Sequence, residues 1–191
     1  MRTRNAAILI FNDVEVLDFA GPYEVFNVVP SKEKAFNVYT VAPVDKNISA
    51  RNGLRVRADF TFGDYPRPDI VIVPGGDGRK IQMNNPDVLD WLNAVYPYCE
   101  YMLSVCTGAF ILGKAGLLKN LKATTHHESY DEFEAEFEDV KLIKNVKFVD
   151  NGKIVTSGGI SAGINMSLFM VDKILGNDMG KKTAEHMEYD Y

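Results

Sequence analysis

The feature that most constrains this chain is a set of short, unbroken apolar runs, each of strand length and each followed by a segment with helical spacing. Residues 6–11 read AAILIF, residues 69–73 DIVIV and residues 101–105 YMLSV. A strand with almost no polar side chains has no face left for water, so it belongs in a sheet covered on both sides. Helical spacing is expected over 19–29, from Pro86 through Val95, over 107–118, 128–137, 160–175 and 179–189. Further strands are expected at 35–42, 122–125, 146–149 and 153–156, with hairpin turns at Asn52-Gly53 and Asp150-Asn151-Gly152. Strands alternating with helices imply parallel βαβ units and an open α/β sandwich. No repeat or linker interrupts the pattern, so residues 1–191 are expected to form one domain.

Composition narrows the function classes. With 46% hydrophobic and 25% charged residues the chain is ordinary globular protein. At about 190 residues a chain buries roughly 70% of its unfolded surface, enough for a core without staples. The net charge is −5 and there is no Lys/Arg block, which argues against binding to nucleic-acid phosphates. No apolar run approaches the roughly 18–20 residues that span a bilayer, so no membrane association is expected. The basic start MRTRN leads into only six apolar residues, too few for a signal peptide, and a cytoplasmic setting is expected. Two cysteines are present, Cys99 and Cys106. Near-extended chain would hold their Cα atoms about 23 Å apart, and neither has a CxxC partner, so both thiols should be reduced. With histidines only at 126, 127 and 186, no metal site is expected. Cys99 reads as a small buried hydrophobe.

In open parallel sheets, chemistry gathers beyond the carboxyl ends of the strands. Four such ends carry Asp18, Gly75-Gly76, Cys106-Thr107 and His126-His127. The stretch Ser104-Val105-Cys106-Thr107-Gly108 has the small-x-nucleophile-x-small form of a strand-to-helix elbow, which exposes its central side chain. A helix N-terminus beside Cys106 would favour the thiolate. The Gly75-Gly76 pair can bring backbone N–H groups close to a developing negative charge. Asp18 reads both as the N-cap of the first helix, with Pro22 in its first turn, and as a partly desolvated proton carrier beside the thiol. Glu15 and Glu24 compete for that second role, with Glu24 set away from the cleft. His126 is either a base or orienter or a hydrogen-bonded core residue; His127 and His186 read as surface. The acidic run 131–139 carries Phe133 and Phe137 four apart, the pattern of an amphipathic helix with a solvated face.

Together, ILIFNDVEVLDFAGPYEVF (8–26), VPGG (73–76), SVCTGAFILGKAGLL (104–118), ATTH (123–126) and SGGISAGIN (157–165) resemble the ThiJ/PfpI superfamily, over nearly the whole chain and in the right order. That resemblance implies a class I glutamine amidotransferase-like, flavodoxin-like three-layer α/β/α sandwich and a homodimer. The LDxxGPxEVF, SVCTG and ATTH blocks are closest to the isonitrile hydratase branch and to the sensor domains of AraC-type regulators. By that resemblance Cys106 is the nucleophile that attacks an isonitrile carbon and Asp18 the general acid/base. Thr107 is then a hydrogen-bonding partner, Gly75 and Gly76 line the site, His126 is a possible accessory, and no cofactor is needed. The product is an N-formamide released from a thioimidate. Glyoxalase or deglycase chemistry on reactive carbonyls, or a redox or small-ligand sensor built on Cys106, are the alternatives. Thr107 stands where protease-like members carry His, which disfavours peptidase and amidase readings. His127 and Asn165 also depart from the branch pattern, in places that bear on the substrate pocket.

Overall fold

The computed structural model describes residues 2–191. The apolar runs become the centre of a seven-stranded sheet, as their composition requires. The first, β1 (Arg4–Leu9), leads into α1 (Val16–Asn27), then β2 (Phe36–Ala42). A short antiparallel hairpin follows, β3 (Asn47–Ser49) and β4 (Arg55–Arg57), then β5 (Phe60–Thr61) and β6 (Ile70–Val73). The one-turn α2 (Arg79–Gln82) precedes α3 (Pro86–Val95), whose N-cap Asn85 accepts from the Asp87 N–H and whose first residue is Pro86, a favoured place for a residue without N–H. Next come β7 (Tyr101–Ser104), α4 (Gly108–Lys114), β8 (Lys122–Ala123), α5 (Tyr130–Glu136), β9 (Lys141–Leu142), β10 (Phe148–Asp150), β11 (Ile154–Ser157), α6 (Ala162–Leu175) and α7 (Met179–His186).

The sheet order is β10-β11-β7-β6-β1-β2-β5, parallel except for the β10–β11 hairpin. Register brings the carboxyl ends level, with Ile8 opposite Ile72, and Val73 opposite Ser104, itself opposite Thr156. Residues 6–10 and 70–73 are wholly inaccessible, so the helices cover both faces of these strands. Complete burial of an aliphatic side chain contributes about 1.5–3 kcal/mol, which makes this the stabilising part of the molecule. No helix among the described residues is long and apolar enough to cross a membrane.

Three local expectations are corrected. The first helix begins at Val16, not 19; Glu15 stands at its N-cap position, and Pro22 lies mid-helix instead of in the first turn. Asp18 therefore caps nothing. It sits in the first turn, fully buried, with its carboxyl turned away from its own helix. The segment before His126 is not a main-sheet strand either. Only Lys122–Ala123 is extended, and it pairs with β9 in a separate two-stranded sheet. Side chains tie the following residues to the main sheet instead: the Thr124 N–H donates to Thr156 Oγ1 (2.9 Å), and Thr125 Oγ1 donates to the Cys106 carbonyl (2.9 Å).

Candidate active site at the strand ends

Cys106 follows β7 at the start of α4, with φ of +57°. A non-glycine residue in the left-handed region is strained by roughly 1–3 kcal/mol and persists only where its surroundings over-determine it. They do so here. The Cys106 N–H donates to Gly158 O (3.1 Å), and its carbonyl accepts from Thr125 Oγ1. On the far side Gly108 passes so close to β6 that a Cβ would lie 2.0 Å from Val73 O. The small residues of the elbow are thus required by close approach of two strand ends.

Asp18 crosses to meet the thiol. Its Oδ2 accepts from the Gly75 N–H (3.0 Å), and both the Cys106 thiol and the Ile160 N–H are hydrogen-bonding neighbours of the carboxyl. These looser approaches leave Oδ1 buried with no donor at full hydrogen-bond geometry among the described residues. Burial lifts this carboxyl to about 7 against the Gly75 N–H, with the nearby charge of Glu15 pushing the same way. Cys106 is 5% exposed, and burial followed by the Asp18 charge pushes its thiol up to about 12. The helix N-terminus, expected to favour a thiolate, is outweighed, because α4 is short and the thiol is both desolvated and beside a carboxylate. The resting pair near neutral pH is therefore a thiol beside a carboxyl poised to gain or lose a proton.

Gly75 and Gly76 position these groups. A Cβ on Gly75 would lie 2.4 Å from Thr107 Oγ1 and 2.6 Å from the Thr107 N. The Gly75 N–H is engaged by Asp18, and the Gly76 N–H donates to Thr107 Oγ1 (3.1 Å). At rest, then, both amides serve protein groups, and Gly76 also lines the cavity. Thr107 in turn accepts from Gly76 at its hydroxyl oxygen, and among the described residues its hydroxyl proton has no acceptor.

Cys106 and Thr107 open onto a cavity of about 290 Å³ that Gly76, His126 and Ile160 also line. His126 is half-buried. Its Nδ1 accepts from the Glu128 N–H (3.3 Å), and burial, followed by the neighbouring His127, lowers its pKa. His127 and His186 are exposed, as expected. Glu15 joins the cavity wall, held by Arg51 Nη1 at 2.8 Å, whereas Glu24 lies outside it. Asn165 is placed on α6, where it accepts loosely from Tyr189 Oη (3.4 Å).

Sequence reasoning missed eight wall residues, among them Arg51, Arg79, Glu132 and Ile160. Arg79 is almost wholly buried and bonds Glu132 on α5, so one half-exposed member of the acidic run also reaches the cleft. The remainder of that run behaves as expected, with Phe133 and Phe137 buried. Arg79 follows the glycine pair by three residues, and that proximity was the available signal. Ile160 has φ of +53°, a conformation β-branched residues avoid. Nothing in the residue type announces it. Among the described residues no group of three or more His, Cys, Asp or Glu is placed to hold a metal ion.

Comparison with known proteins identifies the family and the fold. The chain is 33% identical over 181 residues to isonitrile hydratase of Pseudomonas putida, covering 95% of this chain and 76% of that protein. It is 24% identical to the HTH-type transcriptional regulator GbdR of Pseudomonas aeruginosa, over 94% of this chain but only 48% of the regulator. A crystal structure of a ThiJ/PfpI family protein from Pseudomonas syringae superposes with a TM-score of 0.89 at 27% identity, covering all of this chain and 77% of that one. The DJ-1/PfpI family model matches residues 4–173, and the chain belongs to that family.

Proposed function

We propose that the protein is a cysteine-dependent hydratase of small electrophiles, converting an isonitrile to an N-formamide. The observation that carries this reading is the buried Cys106–Asp18 pair, a thiol held on a strained elbow beside a carboxyl lifted to about 7. Asp18 as carboxylate takes the thiol proton while Cys106 Sγ forms a bond to the terminal carbon of R–N≡C. The same proton then passes to that carbon, giving the thioimidate R–N=CH–S. Water adds to this carbon, one of its protons going to the nitrogen and the other to the Asp18 carboxylate; the C–S bond then breaks, R–NH–CHO leaves, and Asp18 returns its proton to the sulfur. A carboxyl that titrates near neutrality suits both directions of transfer. The free Thr107 hydroxyl proton is suited to the substrate nitrogen. No step forms a full oxyanion before water adds, so the engaged Gly75 and Gly76 amides are no obstacle.

The similarity to an isonitrile hydratase supports the reaction class. Formamide production from a small isonitrile, with Cys106→Ala beside the natural chain, tests it: turnover confined to the natural chain is expected, and equal rates in both would overturn it. A second reading, hemithioacetal chemistry on reactive carbonyls, draws on His126, whose lowered pKa leaves a neutral ring at the cavity wall. Methylglyoxal turnover that Cys106→Ala and a His126→Phe variant both abolish would favour it over hydration.

A further inference from the structure

Seven of the thirteen residues lining the Cys106 cavity carry full charges, and Ile160 is its single aliphatic wall. A bare alkyl group placed there would strip water from those charges and give them nothing in return. Most of them keep contact with water: the side chains of Arg51, Asp77, Glu128 and Glu132 are each about half exposed or more. Arg79 differs, at 5% exposure. A guanidinium has five N–H donors. Here Nη2 bonds Glu132 Oε2, Nη1 reaches the weak acceptor Met83 Sδ at 3.6 Å, and the Phe110 ring lies 3.9 Å beneath the group. The other three donors have no acceptor among the described residues. The one carboxylate that answers this buried cation belongs to α5 and is half exposed, so it can turn to water at little cost.

From this we infer that Arg79 is the receptor for a carboxylate carried by the substrate, with Glu132 holding its place at rest, and that the electrophile taken by Cys106 is a small carboxylate-bearing molecule. The planar fork of an arginine matches a carboxylate in two parallel bonds, and a buried fork with unmet donors gains most from it. The inference rests on the reading of Cys106 as nucleophile; it does not require that the reaction be isonitrile hydration.

Two alkylating reagents of nearly equal size separate these claims. Iodoacetate carries the carboxylate and iodoacetamide does not. With either, a bond forms from Cys106 Sγ to the methylene carbon, the C–I bond breaks, iodide leaves and the thiol proton passes to Asp18. The ratio of the two rate constants, measured at Cys106 by mass spectrometry, is compared with that of N-acetylcysteine. A charge-assisted pair makes the protein's preference for iodoacetate at least about tenfold greater than the reference. Arg79→Gln is expected to return the ratio to the reference, Arg79→Lys to retain part of it, and Glu132→Gln, which removes the resting competitor, to raise it. Glu132 is half exposed, so that variant is expected to fold even if Arg79→Gln does not. A wild-type ratio at or below the reference, or one that neither variant moves, overturns the receptor. Failure of both reagents to label Cys106 overturns the nucleophile reading and the receptor with it. A strong preference for iodoacetate without turnover of isocyanoacetate upholds the receptor and removes isonitrile hydration.

Discussion

Cys99 and Cys106 are the same residue, seven positions apart and buried to nearly the same degree, at 4% and 5% exposure. Their surroundings differ in every other respect. Cys99 follows α3 with its thiol donating to Tyr96 O (3.5 Å), and the charged group that acts on it is the Lys153 cation, not a carboxylate. Cys106 stands on left-handed backbone, opens onto a charged cavity and shares hydrogen-bonding neighbours with Asp18. Burial raises the pKa of both thiols. In the proposed function, what separates an inert thiol from a reactive one is the group placed to take its proton, and in this fold that group arrives from a different element, α1.

The largest expected effect sharpens this contrast. Cys106→Ala should abolish formamide formation and all labelling by mild alkylating agents in the cavity, while Cys99→Ala should leave turnover intact. Loss of turnover in both would erase the distinction.

Next in size is Asp18→Asn. Loss of a positioned proton carrier should lower kcat/KM by about 10²–10⁴. Stability should move the other way. The carboxyl titrates at about 7 in the fold against an ordinary 3.8, so the folded state binds the extra proton between those values. The stability of the natural chain should fall as pH rises from about 4 to 7 and then level off. Asp18→Asn should escape that fall and gain up to about 4 kcal/mol over the natural chain above pH 7. Denaturant midpoints at pH 5 and pH 8 check the sign. A mere helix cap would show a loss of stability at both.

Gly75→Ala tests whether the close turn holds the pair together. Its Cβ would press on the Thr107 backbone and hydroxyl, so a 10- to 100-fold loss of kcat/KM is expected, of the order that a small misplacement of reacting groups costs. The smallest effect is that of Cys99→Ala on the fold: removal of one buried sulfur should cost about 1 kcal/mol, read from thermal or urea unfolding, with no change in the pH profile.

Much of this molecule was legible in the residues. The strands AAILIF, DIVIV and YMLSV could only lie between two layers of helices, and the elbow around Cys106 follows from small residues flanking a thiol at a strand end. The Gly75-Gly76 turn was legible as a place, though its use was not: nothing in a glycine states whether its N–H faces a substrate or Asp18. Asp18 was found for a mixed reason. Its cap role dissolved once the helix began at Val16, and its carboxyl bonds the Gly75 N–H across the cleft beside the thiol instead. Arg79 and Glu132 stayed hidden because each looks like ordinary surface charge in sequence. Their pairing depends on α2 and α5 meeting across a cleft, and local spacing carries no record of that long-range contact. Ile160 was hidden more deeply, since its backbone strain contradicts the preference of its side chain.

The central claim, that Cys106 gives its proton to Asp18, is tested most directly by the pH dependence of Cys106 alkylation by iodoacetamide, in the natural chain and in Asp18→Asn. The expected profile rises through about pH 7, following the Asp18 carboxyl, and that inflection disappears in the variant. A single inflection near the roughly 8.5 of an ordinary cysteine, unchanged by Asp18→Asn, would contradict the account.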